Sequence, residues 1–373
     1  MFMYDICIQK MLSFFDDLTD PRVDRTKLHS LKDIIGITIC AVISGCDDWD
    51  EIELYGQQKS DWLKQFLKLP NGIPSHDTFN RVFAVLDPQE LQDCFICWVQ
   101  SVAEITNGRV VSIDGKRLRN SGVNGQKGFI HMVSAWCNTN NMVLGQVKTD
   151  EKSNEITAIP ALLDLLVLEG AIVTIDAMGC QQQIAEKIVD RKADYVLAVK
   201  ENQGHVLDDI KEAFEQTPAA GSHTTLEKSH GRIEKRTCKV ITDMDWICKK
   251  SNWKNLQSII SVESERTILA TGEQHSEIRY YIASMIDSPK SFLNITRQHW
   301  GIENKLHWSL DVTFKEDLST KQAGNAAENF STITKVALNL LKNNKSKKLS
   351  IKKKRLLCSW DNNFLGQTVF NEN

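Results

Sequence analysis

Two apolar runs that each end in an aspartate most constrain how this chain can fold. One run extends from Ala171 to Asp176, and an earlier one extends from Arg109 to Asp114. Short runs of β-branched and aliphatic residues are typical of buried strands. The sequence therefore predicts two strands that each present a carboxylate at the end. Two such carboxylates suggest a shared metal ion, because hard divalent cations prefer oxygen ligands.

The order of the predicted elements brings these two strands together. Strands are predicted at 109–114, 129–137 and 142–148, then a helix at 155–167, a strand at 171–176, a helix at 181–191, a strand at 194–199 and a helix at 205–214. This order predicts an α/β fold with a ribonuclease-H-like mixed sheet flanked by helices. The first and fourth strands are neighbours in that layout, about 4.8 Å apart. We therefore expect Asp114 and Asp176 to lie side by side.

The rest of the chain divides around this core. Residues 1–105 are predicted to form an N-terminal helical domain for DNA binding or docking, and a plain helical scaffold is the alternative. The catalytic core is predicted at 106–340, with a β-rich insertion at about 220–285. Residues 341–373 are predicted to be a basic C-terminal tail that either contacts phosphate or is solvated.

Composition narrows the class of protein. The chain has 373 residues, 42% of them hydrophobic, and its longest apolar run, 34–46, is too short for a spanning helix and predicts a buried one. Ten scattered cysteines suit free thiols in a reducing cytoplasm. Residues 1–106 carry nine Lys and Arg against seventeen Asp and Glu, whereas residues 336–373 carry eight against two. Any attraction for DNA is therefore local.

A third carboxylate is predicted on a late helix that spans residues 297–311. One face of this helix carries apolar residues, and another carries residues spaced four apart, namely His299, Glu303, His307 and Asp311. From the residues alone, Asp311 or Glu316 could replace Glu303 as the third ligand. The histidines lack the His-Glu-x-x-His spacing of a zinc site.

Several motifs in order resemble those of bacterial insertion-sequence transposases of the H-repeat-associated family, in the DDE superfamily. The matching segments are 112–116, 151–156, 174–178, 194–203, 230–234 and 299–304. The resemblance implies that Asp114, Asp176 and Glu303 form a catalytic triad that holds Mg²⁺ or Mn²⁺. A wider group of such enzymes has a Tyr-Arg-Glu-Lys signature, and this chain departs from it with Thr296, His299 and Leu310.

The resemblance also implies DNA as the partner. We expect double-stranded DNA with transposon terminal inverted repeats, target DNA, and a homodimer on DNA, in the cytoplasm and at the nucleoid. Loop charges, surface ion pairs or structural roles are the alternatives for each candidate. The candidate DNA contacts are Lys116, Arg117, Arg119, Lys200, Asn202, Arg232, Arg236, Arg297, His299 and Asn304.

The predicted function is DNA cutting and joining at transposon ends by metal-dependent phosphoryl transfer. A host DNA nuclease with the same metal site is one alternative. A catalytically inactive DNA-binding remnant is the other. Strand joining separates the transposase from the nuclease, and any cleavage separates both from the remnant.

Overall fold

A computed structural model describes residues 11–103, 108–119, 121, 129–149 and 155–370. Within these residues the structure has an N-terminal helical part and one mixed sheet flanked by helices. The segment 151–154 of the family motif lies outside the described residues. In the part of the chain that is described, no helix is both long and apolar enough to cross a membrane.

The N-terminal part is helical, as predicted. Its helices are α1 (Leu31–Ile43), α2 (Trp49–Gln58), α3 (Ser60–Leu63), α4 (His76–Val85) and α5 (Pro88–Val102). Ser30 caps α1 by accepting a hydrogen bond from the amide of Asp33. Almost every residue of α1 is buried, which confirms the buried helix predicted from the apolar run at 34–46.

The sheet has nine strands. They are β1 (Val110–Leu118), β2 (Ile130–Cys137), β3 (Met142–Lys148), β4 (Ile172–Ile175), β5 (Asp194–Val199), β6 (Gly221–Ser229), β7 (Arg232–Ile241), β8 (Ser258–Ile268) and β9 (Gln274–Ala283). Their order across the sheet is β3-β2-β1-β4-β5-β9-β8-β7-β6. β1, β4 and β5 are parallel, and the other neighbouring pairs are antiparallel. The first five strands confirm the predicted ribonuclease-H-like arrangement.

The residues predicted as a β-rich insertion form β6 to β9. These strands do not make a sheet of their own, because β9 pairs with β5 and extends the sheet formed by β1 to β5. Three helices lie between β3 and β6 in the chain, namely α6 (Glu155–Leu165), α7 (Gln182–Asp190) and α8 (Gly204–Gln216). Helix α9 (Pro289–His299) follows the insertion and packs across β1, β4, β6 and β7. It therefore spans the original sheet and its extension.

Helix α10 (Ala326–Asn343) joins the two parts of the chain. It packs against α1, α4 and α5 on one side and against β3 on the other. The side chain of Asn339 donates to the carbonyl of Val143 (2.9 Å) and accepts from its amide (2.8 Å). Because β3 is an edge strand, this side chain satisfies backbone groups that no further strand pairs. The N-terminal helices and the sheet consequently share one core.

The segment predicted as a basic tail is folded. It contains the end of α10 and the helices α11 (Ile351–Trp360) and α12 (Asn362–Phe370), which pack against α1. Arg355 is 5% exposed and donates to the carbonyls of Val42 and Thr313 and to the carboxylate of Asp47. A basic residue whose donors are satisfied in this way is structural. Sequence charge alone had suggested solvent or phosphate contact for the whole segment.

Candidate active site

The strand register places the two aspartates next to each other. The last paired positions of β1 and β4 are Ile113 and Ile175, so Asp114 and Asp176 follow side by side. The residues two positions earlier, Ser112 and Thr174, share a hydrogen bond of 3.2 Å. Because side chains alternate along a strand, the aspartates lie on this same face. Asp176 also caps its turn, since one carboxylate oxygen accepts from the amides of Met178 (3.1 Å) and Gly179 (3.3 Å).

Glu303 reaches this face from a π-helix. The segment after α9 forms two π-helical stretches, Ile302–His307 and Ser309–Thr313. π-helical turns are rare and frequently mark functional sites. Ile302, Leu306 and Leu310 are at most 1% exposed and face the sheet, as the apolar spacing predicted. The side chain of Glu303 is exposed.

The acids of this site affect one another's protonation. Burial, and after it the charges of Asp176, Glu155 and Glu303, raise the pKa of Asp114 to about 7, whereas the hydrogen bond from the amide of Gly115 opposes the shift. Like charges that gather in a buried place require a cation or a proton. Among the residues that the structure describes, no three His, Cys, Asp or Glu side chains form a finished metal-binding group. The carboxylate oxygens of Asp114, Asp176 and Glu303 are the type of donor that a hard divalent ion prefers.

Glu155 is an acid of this site that the sequence reasoning missed. It begins α6, is 8% exposed, and places Oε1 2.9 Å from Nε2 of His131 on β2. A Cβ at Gly115 would lie only 2.1 Å from the same carboxylate oxygen. Burial and Asp176 raise the pKa of Glu155, and Arg117 opposes them. The signal was available, since Glu155 lies in the family motif at 151–156.

The alternative third ligands are engaged elsewhere. Asp311 lies 2.7 Å from Nζ of Lys116, and Glu316 lies 3.0 Å from the same atom. Glu316 also pairs with Lys335 at 3.4 Å. Within the described residues, Glu303 has no cation at ion-pair distance. This contrast favours Glu303 as the acid of the π-helix that is available to act as the third metal ligand.

The predicted DNA contacts that follow Asp114 differ in accessibility. Lys116 is 10% exposed at its side chain and has carboxylate partners, which favours a role in holding the π-helix on β1. The guanidinium of Arg117 stacks 4.7 Å from the ring centre of Phe129. Arg119 is 79% exposed and lies 3.5 Å from Asp317. Of the three, Arg119 is the most accessible to a ligand.

Residues that follow β5 lie close to the loop after Asp176. Asn202 donates to the carbonyl of Ala177 at 2.7 Å, and thus supports that loop. Lys200 is exposed. His299 and Asn304, which flank Glu303, are placed differently. His299 is half-buried, with Nδ1 3.1 Å from the hydroxyl of Thr174, whereas Asn304 is exposed. Lys200 and Asn304 are therefore open to a ligand.

The arginines of the insertion line a groove of about 380 Å³ that Asn304 also borders. Each predicted arginine there has a glutamate partner. Arg232 lies 2.9 Å from Glu234, Arg236 pairs with Glu234 and Glu227, and Arg297 makes a two-pronged pair with Glu227 at 2.5 and 2.9 Å. Two glutamates are thus shared among three arginines, and these ion pairs neutralise part of the positive charge of the groove.

Comparison with known proteins gives matches along most of the chain. A family model described as "Transposase DDE domain" matches residues 106–340, and one described as "DDE_Tnp_1-associated" matches residues 12–99. The "H repeat-associated putative transposase YhhI" of Escherichia coli strain K12 is 41% identical over 372 residues, which is 97% of this chain and 98% of the relative. The "Putative transposase YncI" of Escherichia coli O157:H7 is 45% identical over 355 residues, covering 93% and 91%.

Among solved structures, a cryo-EM structure of a piggyBac transposase synaptic complex with hairpin DNA is similar. It covers 100% of this chain and 82% of its own, with 11% sequence identity and a TM-score of 0.47.

Proposed function

The chain belongs to the DDE transposase family that its motifs predicted, and we propose that it cuts and joins DNA at the ends of a transposable element. The observation that carries the proposal is the register of β1 and β4, which sets Asp114 beside Asp176 on the face that the π-helix of Glu303 covers. The raised pKa of Asp114, caused by burial and by the neighbouring acids, supports a site built to receive positive charge.

The residues that would hold Mg²⁺ or Mn²⁺ are Asp114, Asp176 and Glu303. When bound, such ions supply Lewis-acid stabilisation of the attacking and leaving oxygens in phosphoryl transfer. The protein holds the carboxylates and the π-helix in position. The turn amides of Met178 and Gly179 hold one oxygen of Asp176, and the ion pair of Lys116 with Asp311 anchors the π-helix to β1.

We further propose that the substrate is double-stranded DNA with terminal inverted repeats, that target DNA accepts the cut end, and that two copies act together in the cytoplasm. Joining two ends calls for two active sites. Arg119, Lys200 and Asn304 are predicted contacts that are exposed. To bind DNA, Arg232, Arg236 and Arg297 would have to break their ion pairs with glutamate and pair with phosphate groups instead.

The test is a cleavage and strand-joining assay with DNA that carries the repeats flanking the gene. Wild-type protein with Mg²⁺ or Mn²⁺ is expected to cleave and join, and Asp176→Asn is expected to do neither. Asp194→Asn is the matched control, because Asp194 starts β5 at the opposite end of the parallel strands and accepts a hydrogen bond from Ser284 (2.7 Å).

Each outcome separates the candidates. Cleavage without joining would identify a nuclease. Binding without cleavage would identify an inactive DNA-binding protein, and one shorter relative, 43% identical over 75 residues, is named "Inactive transposase YbfQ". Equal cleavage by wild type and Asp176→Asn would contradict the proposed mechanism.

A further inference from the structure

Three lysines from separate elements converge beside the π-helix, and we name them the lysine surface: Lys305, Lys342 and Lys345. Lys305 belongs to the π-helix, Lys342 to the last turn of α10, and Lys345 to the loop after it. Nζ of Lys345 donates to the carbonyl of Lys342 at 2.7 Å. Lys305 and Lys345 are exposed, and Lys342 is partly buried. Separate elements thus build one basic surface.

The lysines repel one another. Burial, and after it the charges of Lys305, Lys345 and Lys354, lower the pKa of Lys342 to about 8. Lys354 lies beneath, 6% exposed, where it donates to the carbonyls of Leu341 (2.9 Å) and Asn344 (2.6 Å). Like charges held together in this way favour an anion that would relieve the repulsion.

No carboxylate neutralises the lysine surface within the described residues. Nζ of Lys305 donates to the side-chain oxygen of Asn141 at 3.2 Å, and Nζ of Lys342 lies 5.0 Å above the ring of Trp136. Both partners are uncharged. The arginines of the groove, by contrast, each have a glutamate. The lysine surface therefore has no carboxylate partner within the described residues, whereas the arginines of the groove are paired with glutamates.

The lysine surface lies on the same face of the sheet as the catalytic acids. Trp136, beneath Lys342, pairs with Ser112 in the β1–β2 register, and Ser112 precedes Asp114 by two residues on one face. Lys305 belongs to the same π-helix as Glu303, about half a turn away around its axis. An extended anion that reaches the carboxylates could therefore continue across the lysines.

We propose that the lysine surface binds the phosphate backbone of duplex DNA beside the cleaved position, without reading its sequence. Lysine acts as a point charge toward phosphate and suits contact that tolerates any sequence. The inference rests on the proposed function, because it names where the DNA held at the catalytic acids continues.

The test measures binding of a fluorescent duplex of random sequence to the full chain across a range of salt concentrations. The triple variant Lys305→Gln, Lys342→Gln, Lys345→Gln is expected to lose affinity on the order of 10²-fold near 0.1 M salt, and its salt slope should fall by about 2 to 3. The triple Lys→Arg variant at these positions keeps the charge and is expected to bind like wild type. Circular dichroism checks that each variant is folded.

The matched control replaces three lysines that have carboxylate partners: Lys192, Lys235 and Lys254. Changing these to Gln alters the net charge equally and is expected to leave the salt slope unchanged. Equal losses in both triple variants would overturn the inference, since net charge alone would then explain them. Stronger binding of poly-L-glutamate than of DNA at the lysine surface would also overturn it.

The two proposals fail separately. If wild type binds DNA through the lysine surface but does not cleave DNA with terminal repeats, the proposed transposase activity fails and the lysine surface stands. If wild type cleaves, and the Lys→Gln triple variant keeps wild-type affinity and salt slope, the lysine surface fails and the activity stands.

Discussion

The close approach of Gly301 to Asn138 fixes how the π-helix of Glu303 sits on the sheet. A Cβ at Gly301 would lie 1.9 Å from Oδ1 of Asn138, against at least 3.4 Å for ordinary contact, so Gly301→Ala forces a shift of about 1.5 Å. Asn138 is 7% exposed. Its amide donates to Oγ of Ser112 (3.0 Å), and its oxygen accepts from Nε1 of Trp136 (3.2 Å). Asn138 is therefore held, and the helix is expected to move.

The expected magnitudes follow from this displacement. Overpacking costs about 1 to 3 kcal/mol. For 373 residues, an unfolding entropy of about 2.1 cal/mol/K per residue converts this to a fall in melting temperature of about 1 to 4 °C. A displacement of about 1 Å at a reacting centre lowers a rate on the order of 10²-fold. We thus expect Gly301→Ala to lose far more activity than stability.

The assay measures two quantities for each variant: the rate of cleavage of terminal-repeat DNA at saturating protein, and the melting temperature. Gly204→Ala is the control, because no atom lies within 4 Å of the added Cβ. The double variant Gly301→Ala, Asn138→Ala removes the clashing side-chain atoms and is expected to be more active than Gly301→Ala alone. Wild-type cleavage by Gly301→Ala, with an unchanged melting temperature, would refute the claim that this contact positions Glu303.

Three buried charged groups give further expectations. Lys116→Met leaves Asp311, Glu316 and Asp317 without their shared cation, and it is expected to lower the free energy of unfolding by about 3 to 5 kcal/mol in urea titrations. Burial raises the pKa of Glu316, but Lys335 and Lys116 outweigh it and hold that pKa at about 2, below the ordinary 4.5. Its stabilisation is therefore complete above pH 4.5 and lost as the pH falls toward 2, so Glu316→Gln should flatten this acid limb of unfolding. Lys321→Met removes an ammonium 4.0 Å above the ring of Phe330 and bonded to the carbonyl of Asp47, and its melting temperature should fall.

The strand order and the aspartate pair could be predicted because their signals are local. Each apolar run predicts one strand, and the order of strands and helices is compatible with only a few sheet topologies. The register of Ile113 with Ile175 confirmed that Asp114 and Asp176 are neighbours. Glu303 was assigned by resemblance, and its exposure and proximity to Asp114 are consistent with that assignment.

Other features depend on contacts that no local pattern encodes. The alternation in residues 220–285 indicated strands, but not that β9 would pair with β5 and extend the catalytic sheet. The four-residue spacing after His299 predicted a regular α-helix, whereas the chain there widens into π-helix. The family motif contained Glu155, but its contacts with His131 and the backbone near Gly115 join parts of the chain that are distant in sequence. Lys354 and Arg355 were expected either to contact phosphate or to be solvated, yet backbone carbonyls around them accept hydrogen bonds from their side chains.

The two edges of the sheet differ in a way that bears on how such proteins diversify. At one edge, the side chain of Asn339 bonds the backbone of β3. A new strand added there would have to displace α10, which also packs against the N-terminal helices. At the other margin β6 ends the sheet and carries charged and polar side chains such as Glu227 and Lys228, which discourage chance pairing with another molecule. Because β5, β9 and β8 separate the β6–β7 hairpin from β4, a change in this hairpin would leave the strands that bear the aspartates in register.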